Sequence, residues 1–167
     1  MEIQQLQEHL QQLRFTSGLS VEELQQLAAI SRFQDFPRHA TIFTEGTEHR
    51  DLYIILSGRV EICMTIPARG CLPVLTLEEG DLVGWSSILK QGEMTATVVA
   101  VEASRLIAID AEALAVVCEQ DHDIGYQIMR RVALALSQRL VASRLQVLDM
   151  YAVADEAHPL KQGDANE

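Results

Sequence analysis

Between Phe33 and Asp110 the sequence alternates between short β-prone stretches and turns that contain glycine, and this texture restricts the fold more than any other feature. Turns such as Glu45-Gly46 separate the stretches, and no long helical pattern intervenes. The stretches cover residues 40–44, 53–56, 60–66, 74–77, 97–101 and 106–109. Because parallel strands need long crossovers, this order predicts an antiparallel sandwich or barrel rather than repeated strand–helix–strand units.

Helical patterns precede this β-rich segment. Apolar residues at helical spacing predict a short amphipathic helix, and they are Ile3, Leu6, Leu10 and Leu13. Ser20 and Glu23 have the spacing of a capping box, in which each side chain accepts a hydrogen bond from the other residue's backbone N–H. We expect this pair to open a second helix.

Two further helices are predicted after the β-rich segment. Asp110 is placed to cap the first of them. Asp121 or Asp123 begins a much longer helix, which is expected to end near Met150. The polar residues 151–167 predict a disordered tail.

The long helix carries two apolar stripes on nearly opposite faces. One holds Ile124, Ile128, Val132, Leu136 and Leu140, and the other holds Leu134, Val141, Leu145 and Leu148. The second stripe follows the spacing of a coiled-coil seam. A helix with one stripe packs on its own domain, whereas a helix with two needs a second surface. We therefore expect a homodimer through the second stripe; burial of both faces within one chain is the alternative.

The net charge of −11 argues against a nucleic-acid partner. Nucleic acids are bound by clustered lysine and arginine, whose contacts release counterions from the phosphates. The arginines between Arg130 and Arg144 are interpreted as solvated helix edges or interface residues rather than a DNA contact. We expect no DNA binding by this chain alone.

The apolar runs are too short to span a bilayer, and the N-terminus lacks the pattern of a secretory signal. The three cysteines, Cys63, Cys71 and Cys118, are too few and too scattered for a disulfide framework. These features predict a cytoplasmic protein without a membrane partner.

No catalytic or metal-binding constellation is recognisable. The histidines do not cluster as metal ligands do, even where His39 and His49 flank one strand. A nucleophile with its base, a nucleophile-elbow turn and a phosphate-binding loop of the Walker type are all missing from the sequence. We expect a non-enzymatic protein with no metal and no fixed cofactor.

The ordered set of motifs resembles the cyclic-nucleotide-binding domain family over about residues 19–148. The stretches that carry the resemblance are Glu45-Gly46-Thr47, Leu52–Gly58, Val60-Glu61, Gly80–Gly84, Ile88-Leu89 and Thr95–Ala100. The resemblance implies a regulatory module with an antiparallel β-roll (a double-stranded β-helix or jelly roll), N-terminal helices and a long C-terminal helix. Some relatives bind haem, for which Cys71 would be the candidate ligand, but packing is the simpler role for a lone cysteine.

This resemblance divides the chain into an N-terminal helical segment (1–32), a β-roll (33–110), C-terminal helices (111–150) and the tail (151–167), together one domain. In transcription factors that carry this module, a DNA-binding helix-turn-helix domain follows the long helix. Here only the tail follows Met150. The resemblance therefore implies a stand-alone module that acts through a partner protein.

In the family, a glycine and the N–H groups of a short helix hold the cyclic phosphate. A glutamate after the glycine binds the ribose, and a later arginine neutralises the phosphate. This sequence has Trp85 and Met94 at those two positions. The residues expected to surround a ligand are Val83, Gly84, Trp85, Ser86, Ser87, Met94, Thr95 and Ala96.

Two functions remain open from the sequence. In the first, the β-roll of a homodimer senses a small molecule, nucleotide-like or less anionic, and signals through its long helix to an effector protein. In the second, Trp85 and Met94 plug the pocket, and the module serves only for dimerisation or docking.

Overall fold

The computed structural model describes residues 2–68, 70–89 and 93–157, with side chains described to residue 149. Helix α1 (Glu2–Gln12) buries Leu6 and Leu10, and a 3-10 turn (Arg14–Thr16) leads toward α2 (Val21–Ala29). The predicted capping box opens α2, because the Ser20 hydroxyl accepts from Glu23 N at 3.2 Å and the Glu23 carboxylate accepts from Ser20 N. This local prediction is confirmed.

The described residues form two four-stranded sheets, in which every pairing is antiparallel. In chain order the strands are β1 (Ser31–Phe36), β2 (Thr41–Phe43), β3 (Asp51–Ser57), β4 (Val60–Ile66), β5 (Gly70–Leu77), β6 (Leu82–Val83), β7 (Thr97–Ala100) and β8 (Ser104–Asp110). One sheet has the order β1-β8-β3-β6 and the other β2-β7-β4-β5. The predicted antiparallel β-roll is confirmed.

Strand β1 was not among the predicted strands. It pairs with β8 from Ser31 opposite Ile109 to Phe36 opposite Ser104. Polar and charged residues separate its phenylalanines, so that the stretch contains no run of β-branched residues. Its strand conformation is stabilised by pairing with β8, which is distant in sequence.

Apolar side chains from both sheets fill the space between them. Tyr53, Ile55 and Leu106 are among the fully buried ones, and the Phe36 ring meets the Tyr53 ring edge-on at 6.0 Å between centroids. Alternate residues of each strand face this core, as the period of two in a pleated strand requires.

Two helices follow β8, as predicted. Asp110 caps α4 (Ala111–Gln120) by accepting from Ala113 N at 2.7 Å. Helix α5 (His122–Ala157) begins where the Asp121 carboxylate accepts from the N–H groups of Asp123 and Ile124 at 3.0 and 3.2 Å. Both aspartates satisfy N–H groups that lack a partner in the helix itself.

Helix α5 does not end at Met150 as predicted, but continues to Ala157. The sequence from residue 151 to residue 157 contains no glycine or proline that would stop it. The first part of the predicted disordered tail is therefore helical, and residues 158–167 of that tail lie outside the described residues.

The chain divides into two compact units, Met1–Val132 and Ala133–Glu167. In the first unit, three residues of the first α5 stripe are buried, namely Ile124, Ile128 and Val132. In the second unit, Leu140 of that stripe is 53% exposed. No helix in the described part of the chain is long and apolar enough to cross a lipid bilayer.

Candidate functional site

The turn that the family resemblance assigns to ligand binding is built around Gly84. This residue is buried with a φ of 79°, and a Cβ placed there would lie 3.0 Å from the Asp51 carbonyl oxygen and 3.4 Å from Cε1 of Phe43. Residues with a side chain rarely adopt this backbone conformation. Glycine at position 84 therefore allows β6 to turn tightly against β3.

A short helix, α3 (Ser86–Leu89), follows this turn directly. The backbone N–H and the hydroxyl of Ser87 both donate to the Gly84 carbonyl oxygen, at 3.0 and 2.8 Å. Ile88 N donates to the Trp85 carbonyl oxygen at 3.2 Å. The turn and the first residues of α3 are thus held together by their own hydrogen bonds.

The second half of the predicted site approaches α3 from the segment before β7. The hydroxyls of Ser86 and Thr95 lie 3.2 Å apart. Met94 is fixed by two backbone bonds, from Met94 N to the Thr47 carbonyl oxygen at 2.9 Å and from Gly46 N to the Met94 carbonyl oxygen at 2.8 Å. The fold therefore places Ser86 of α3 next to Thr95 of the segment that leads into β7.

The predicted site residues differ in burial. Val83, Gly84, Ser86 and Met94 are buried, whereas Trp85, Ser87 and Ala96 are half-buried and Thr95 is exposed. Met94 is only 2% exposed and packs with the core residues Phe43 and Val98. Its thioether occupies core volume at the position that the resemblance assigns to the family's arginine, while Trp85 does not belong to that core cluster.

An open cleft of about 330 Å³ adjoins Met94. Its described lining consists of Glu45, Gly46, Glu93, Met94 and Thr95. None of these side chains is basic, and two are carboxylic acids. An anion in this cleft would be repelled by the carboxylates rather than neutralised.

A second polar cluster, which was not predicted from the sequence, lies beside the Gly84 turn. Arg32 donates two hydrogen bonds to the Asp51 carboxylate, at 2.9 and 2.7 Å. His49 Nε2 lies 2.8 Å from the Tyr53 hydroxyl and 3.7 Å from Asp51 Oδ2. The pairing of Asp51 and Tyr53 on one face of β3 follows from their spacing of two, but Arg32 could not be placed without the fold.

This cluster touches the site through Phe43. The Phe43 and His49 rings are in contact with tilted planes and 5.3 Å between their centroids. The Phe43 ring also packs beside Gly84. Burial lowers the pKa of His49 from 6.5, while the Asp51 charge raises it and the Arg32 charge lowers it. Burial also raises the pKa of the Tyr53 phenol, which keeps that group protonated.

The lowered pKa of His49 predicts a pH-dependent contribution to stability. The unfolded chain takes up a proton at His49 near pH 6.5, and the folded chain does so only at lower pH. Between those two pKa values the unfolded state binds more protons than the folded state. The contribution of His49 to the free energy of unfolding is therefore complete above pH 6.5 and is lost as the pH falls through the folded pKa.

Urea unfolding at a series of pH values from about 7 to about 5 tests this expectation. The free energy of unfolding should fall more steeply with acidification in the natural protein than in His49→Gln. His122→Gln changes an exposed histidine and is the matched control, which should keep the natural slope. Equal slopes in the natural protein and His49→Gln would contradict the assignment.

The described residues contain no group of three or more His, Cys, Asp or Glu side chains that could hold a metal ion. What they do form is a glycine turn, a short helix and a cleft on a β-roll. These features define a β-roll domain with a candidate ligand site.

Comparison with known proteins agrees with that class. The family model of the cyclic nucleotide-binding domain matches residues 33–121, which is more than half of the chain. This chain therefore belongs to the cyclic nucleotide-binding domain family. Over the matched residues it is homologous to CRP-like transcriptional regulators.

Two curated relatives and one solved structure illustrate the similarity. A CRP-like cAMP-activated global transcriptional regulator of Mycobacterium tuberculosis is 31% identical over 99 residues, 59% of this chain. The cyclic AMP receptor protein of Thermus thermophilus is 35% identical over 97 residues, 57% of this chain. The matches cover 44% of each relative, so the chain spans less than half the length of these proteins.

The solved structure is a cyclic nucleotide-binding domain from Methylobacillus flagellatus, which has a TM-score of 0.74. The match covers 98% of this chain and 86% of that one, at 21% sequence identity. At this identity the likeness establishes the shared fold alone.

Proposed function

We propose that this chain is a small-molecule sensor whose ligand binds between the Gly84 turn, α3 and the cleft beside Met94. The observation that carries the proposal is the direct approach of the two halves of the site, at the 3.2 Å contact between the Ser86 and Thr95 hydroxyls. A ligand that inserts there would compete for these hydroxyls and for the N–H groups at the start of α3.

The ligand is expected to be less anionic than a cyclic nucleotide. The position of the family's phosphate-binding arginine holds Met94, and the described cleft lining adds Glu45 and Glu93. A charge-assisted hydrogen bond is worth about 1.5–3 kcal/mol, which corresponds to roughly a tenfold to hundredfold change in affinity. Cyclic AMP should therefore bind this chain weakly compared with a relative that has both polar anchors.

Isothermal titration calorimetry tests the proposal with cyclic AMP, cyclic GMP, adenosine and adenine as separate probes. The neutral nucleoside and base are expected to match or exceed cyclic AMP in affinity, because they bring no phosphate charge to the carboxylates. Absence of heat with every probe at millimolar concentration would instead support a ligand-free docking module. The family membership favours the ligand-binding alternative.

The coupling proposed for this sensor begins at α3, which packs against α4 and β3. A ligand shifts a conformational equilibrium only if it binds the two states unequally. We infer that ligand binding repositions α3, and that α4 passes this change to the start of α5. The output would be read by an effector protein rather than by DNA, in keeping with the net charge of −11, and the proposed compartment is the cytoplasm.

The same proposal assigns the second α5 stripe to a homodimer. Leu134, Val141, Leu145 and Leu148 are 45%, 52%, 56% and 63% exposed in the single chain. Their spacing of seven, four and three residues suits a second copy of the same helix. Burying four such side chains in a dimer would stabilise it by several times the ~1.5–3 kcal/mol that is typical of one fully buried apolar side chain.

Leu145→Arg is expected to weaken this dimer by at least about a hundredfold, because the substitution removes an apolar contact and places like charges together at the seam. Sedimentation equilibrium measures the dissociation constant. Ser143→Arg adds the same charge at an exposed polar position of the same helix and is the matched control. Equal dissociation constants for the two variants would contradict the proposed seam.

A further inference from the structure

Two cysteines that the proposed function does not use lie beside each other on the β4–β5 hairpin. In the register of this hairpin, Cys63 is opposite Pro73 and Thr65 is opposite Cys71. Residues 63 and 65 share one face of β4, and residues 71 and 73 share the same face of β5, because side chains alternate along each strand. Cys63 and Cys71 are therefore diagonal neighbours on one face.

The two thiols have different surroundings. Cys63 is buried at 4% exposure, whereas Cys71 is exposed. Burial, together with a hydrogen bond to Cys71 and the charges of Cys71 and Glu61, raises the pKa of the Cys63 thiol to about 12. The two thiols are thus close enough to influence each other, and Cys71 is the one that a solute can reach.

We propose that Cys63 and Cys71 form a peroxide-responsive dithiol that closes reversibly to a disulfide across the hairpin. In the first step the Cys71 sulfur attacks a peroxide, the O–O bond breaks, and Cys71 becomes a sulfenic acid while water or an alcohol leaves. In the second step the Cys63 sulfur attacks the Cys71 sulfur. The S–O bond breaks, the S–S bond forms, and the oxygen leaves as water with the Cys63 proton.

The hairpin geometry favours a disulfide that is easily reduced. Diagonal neighbours in a regular antiparallel pair have Cβ atoms up to about 7 Å apart, whereas a disulfide needs about 3.5–4.5 Å. The register shift between Ile62 and Cys63 marks a bulge, which increases the local twist and allows the strands to adjust. Closure must still tighten the hairpin, and strained or exposed disulfides are the labile ones.

Formation of the disulfide would also affect residues that contact the β4–β5 hairpin. Thr65, opposite Cys71, donates its N–H to the Glu45 carboxylate at 3.1 Å, and Cys63 pairs with Thr97 of β7. Oxidation would therefore stiffen the strand that anchors Glu45. The disulfide itself does not depend on whether the cleft near Glu45 binds a ligand, so its test is separate from that of the proposed function.

The test treats the reduced full chain with hydrogen peroxide and then unfolds it in excess alkylating agent, so that every remaining thiol is blocked, the buried Cys63 included. Trypsin cleaves after Arg59, Arg69 and Lys90, so Cys63 and Cys71 fall in separate peptides, 60–69 and 70–90. Mass spectrometry is expected to find these two peptides joined, with Cys118 alkylated as the internal control. Dithiothreitol should separate the peptides again.

Cys63→Ala removes the second sulfur and should leave Cys71 as a sulfenic acid that dimedone traps, with severalfold more sulfinic acid after longer exposure. Cys118→Ser should leave the joined peptides unchanged. Two results would overturn the proposal. One is an oxidised Cys71 with Cys63 still alkylated in the natural chain, and the other is a Cys71–Cys71 link between copies as the main product. The natural chain alone decides the question if Cys63→Ala does not fold.

Discussion

Cyclic AMP is expected to bind the double variant Trp85→Glu with Met94→Arg at least about tenfold more tightly than it binds the natural protein. The glutamate supplies an acceptor for the ribose hydroxyl, and the arginine supplies the missing cation for the phosphate. Met94 lines the cleft while 2% exposed, so the arginine stem can occupy the buried volume and its guanidinium can extend into the cleft. Calorimetric titration measures the gain.

The same variant should have a lower melting temperature than the natural protein without ligand, because an arginine replaces a packed thioether. Cyclic AMP should recover part of that loss, since it binds only the folded state. The control is Trp85→Glu with Met94→Gln, which introduces polarity at residue 94 without charge and should gain much less affinity. A folded double variant with no gain over this control would show that residue 94 does not face the phosphate position.

Gly58→Ala is expected to lower the free energy of unfolding by about 4 kcal/mol, because backbone strain and steric overlap act together. Gly58 has a φ of 88°, and a Cβ there would lie 2.4 Å from Ser104 Oγ and 2.6 Å from the Ala103 carbonyl oxygen. Ser104 cannot easily move, since its hydroxyl accepts from Arg59 N at 3.2 Å and lies 2.9 Å from the Glu102 carbonyl oxygen, to which it donates. Urea unfolding with linear extrapolation measures the loss.

Gly80→Ala separates the effect of backbone strain from that of steric overlap. Gly80 has nearly the same backbone angle, a φ of 85°, but no atom lies within 4 Å of an added Cβ. This variant should lose only about 1–2 kcal/mol, the cost of a left-handed conformation alone. If Gly58→Ala and Gly80→Ala lost equal stability, the contact with Ser104 would contribute nothing.

The parts of the fold that depend on local chemistry could be predicted from the sequence. The Ser20–Glu23 capping box and the Asp110 cap are confirmed because each satisfies N–H groups within a few residues of itself. The end of α5 was placed too early at Met150, because the polar composition that follows suggested a tail although residues 151–157 contain no glycine or proline.

The arrangement of the candidate site depended on contacts between distant residues. The sequence placed Trp85 and Met94 at the anchor positions, but it could not decide whether they fill or line the pocket. Met94 is buried in a core cluster that also contains Phe43 of β2, which is distant from it in sequence. The salt bridge from Arg32 to Asp51 was likewise invisible, because β1 and β3 are brought close only through β8, which lies between them.

Strand β5 is the outer strand of its sheet, and Pro73 gives it one backbone position without an N–H group. The neighbouring bulge also increases the twist of this strand, so that its outer edge is not straight. Extended peptides that dock by adding a strand need an unbroken row of donors and acceptors. The outer edge of β5 is therefore poorly suited to bind an extended peptide or to nucleate fibrils.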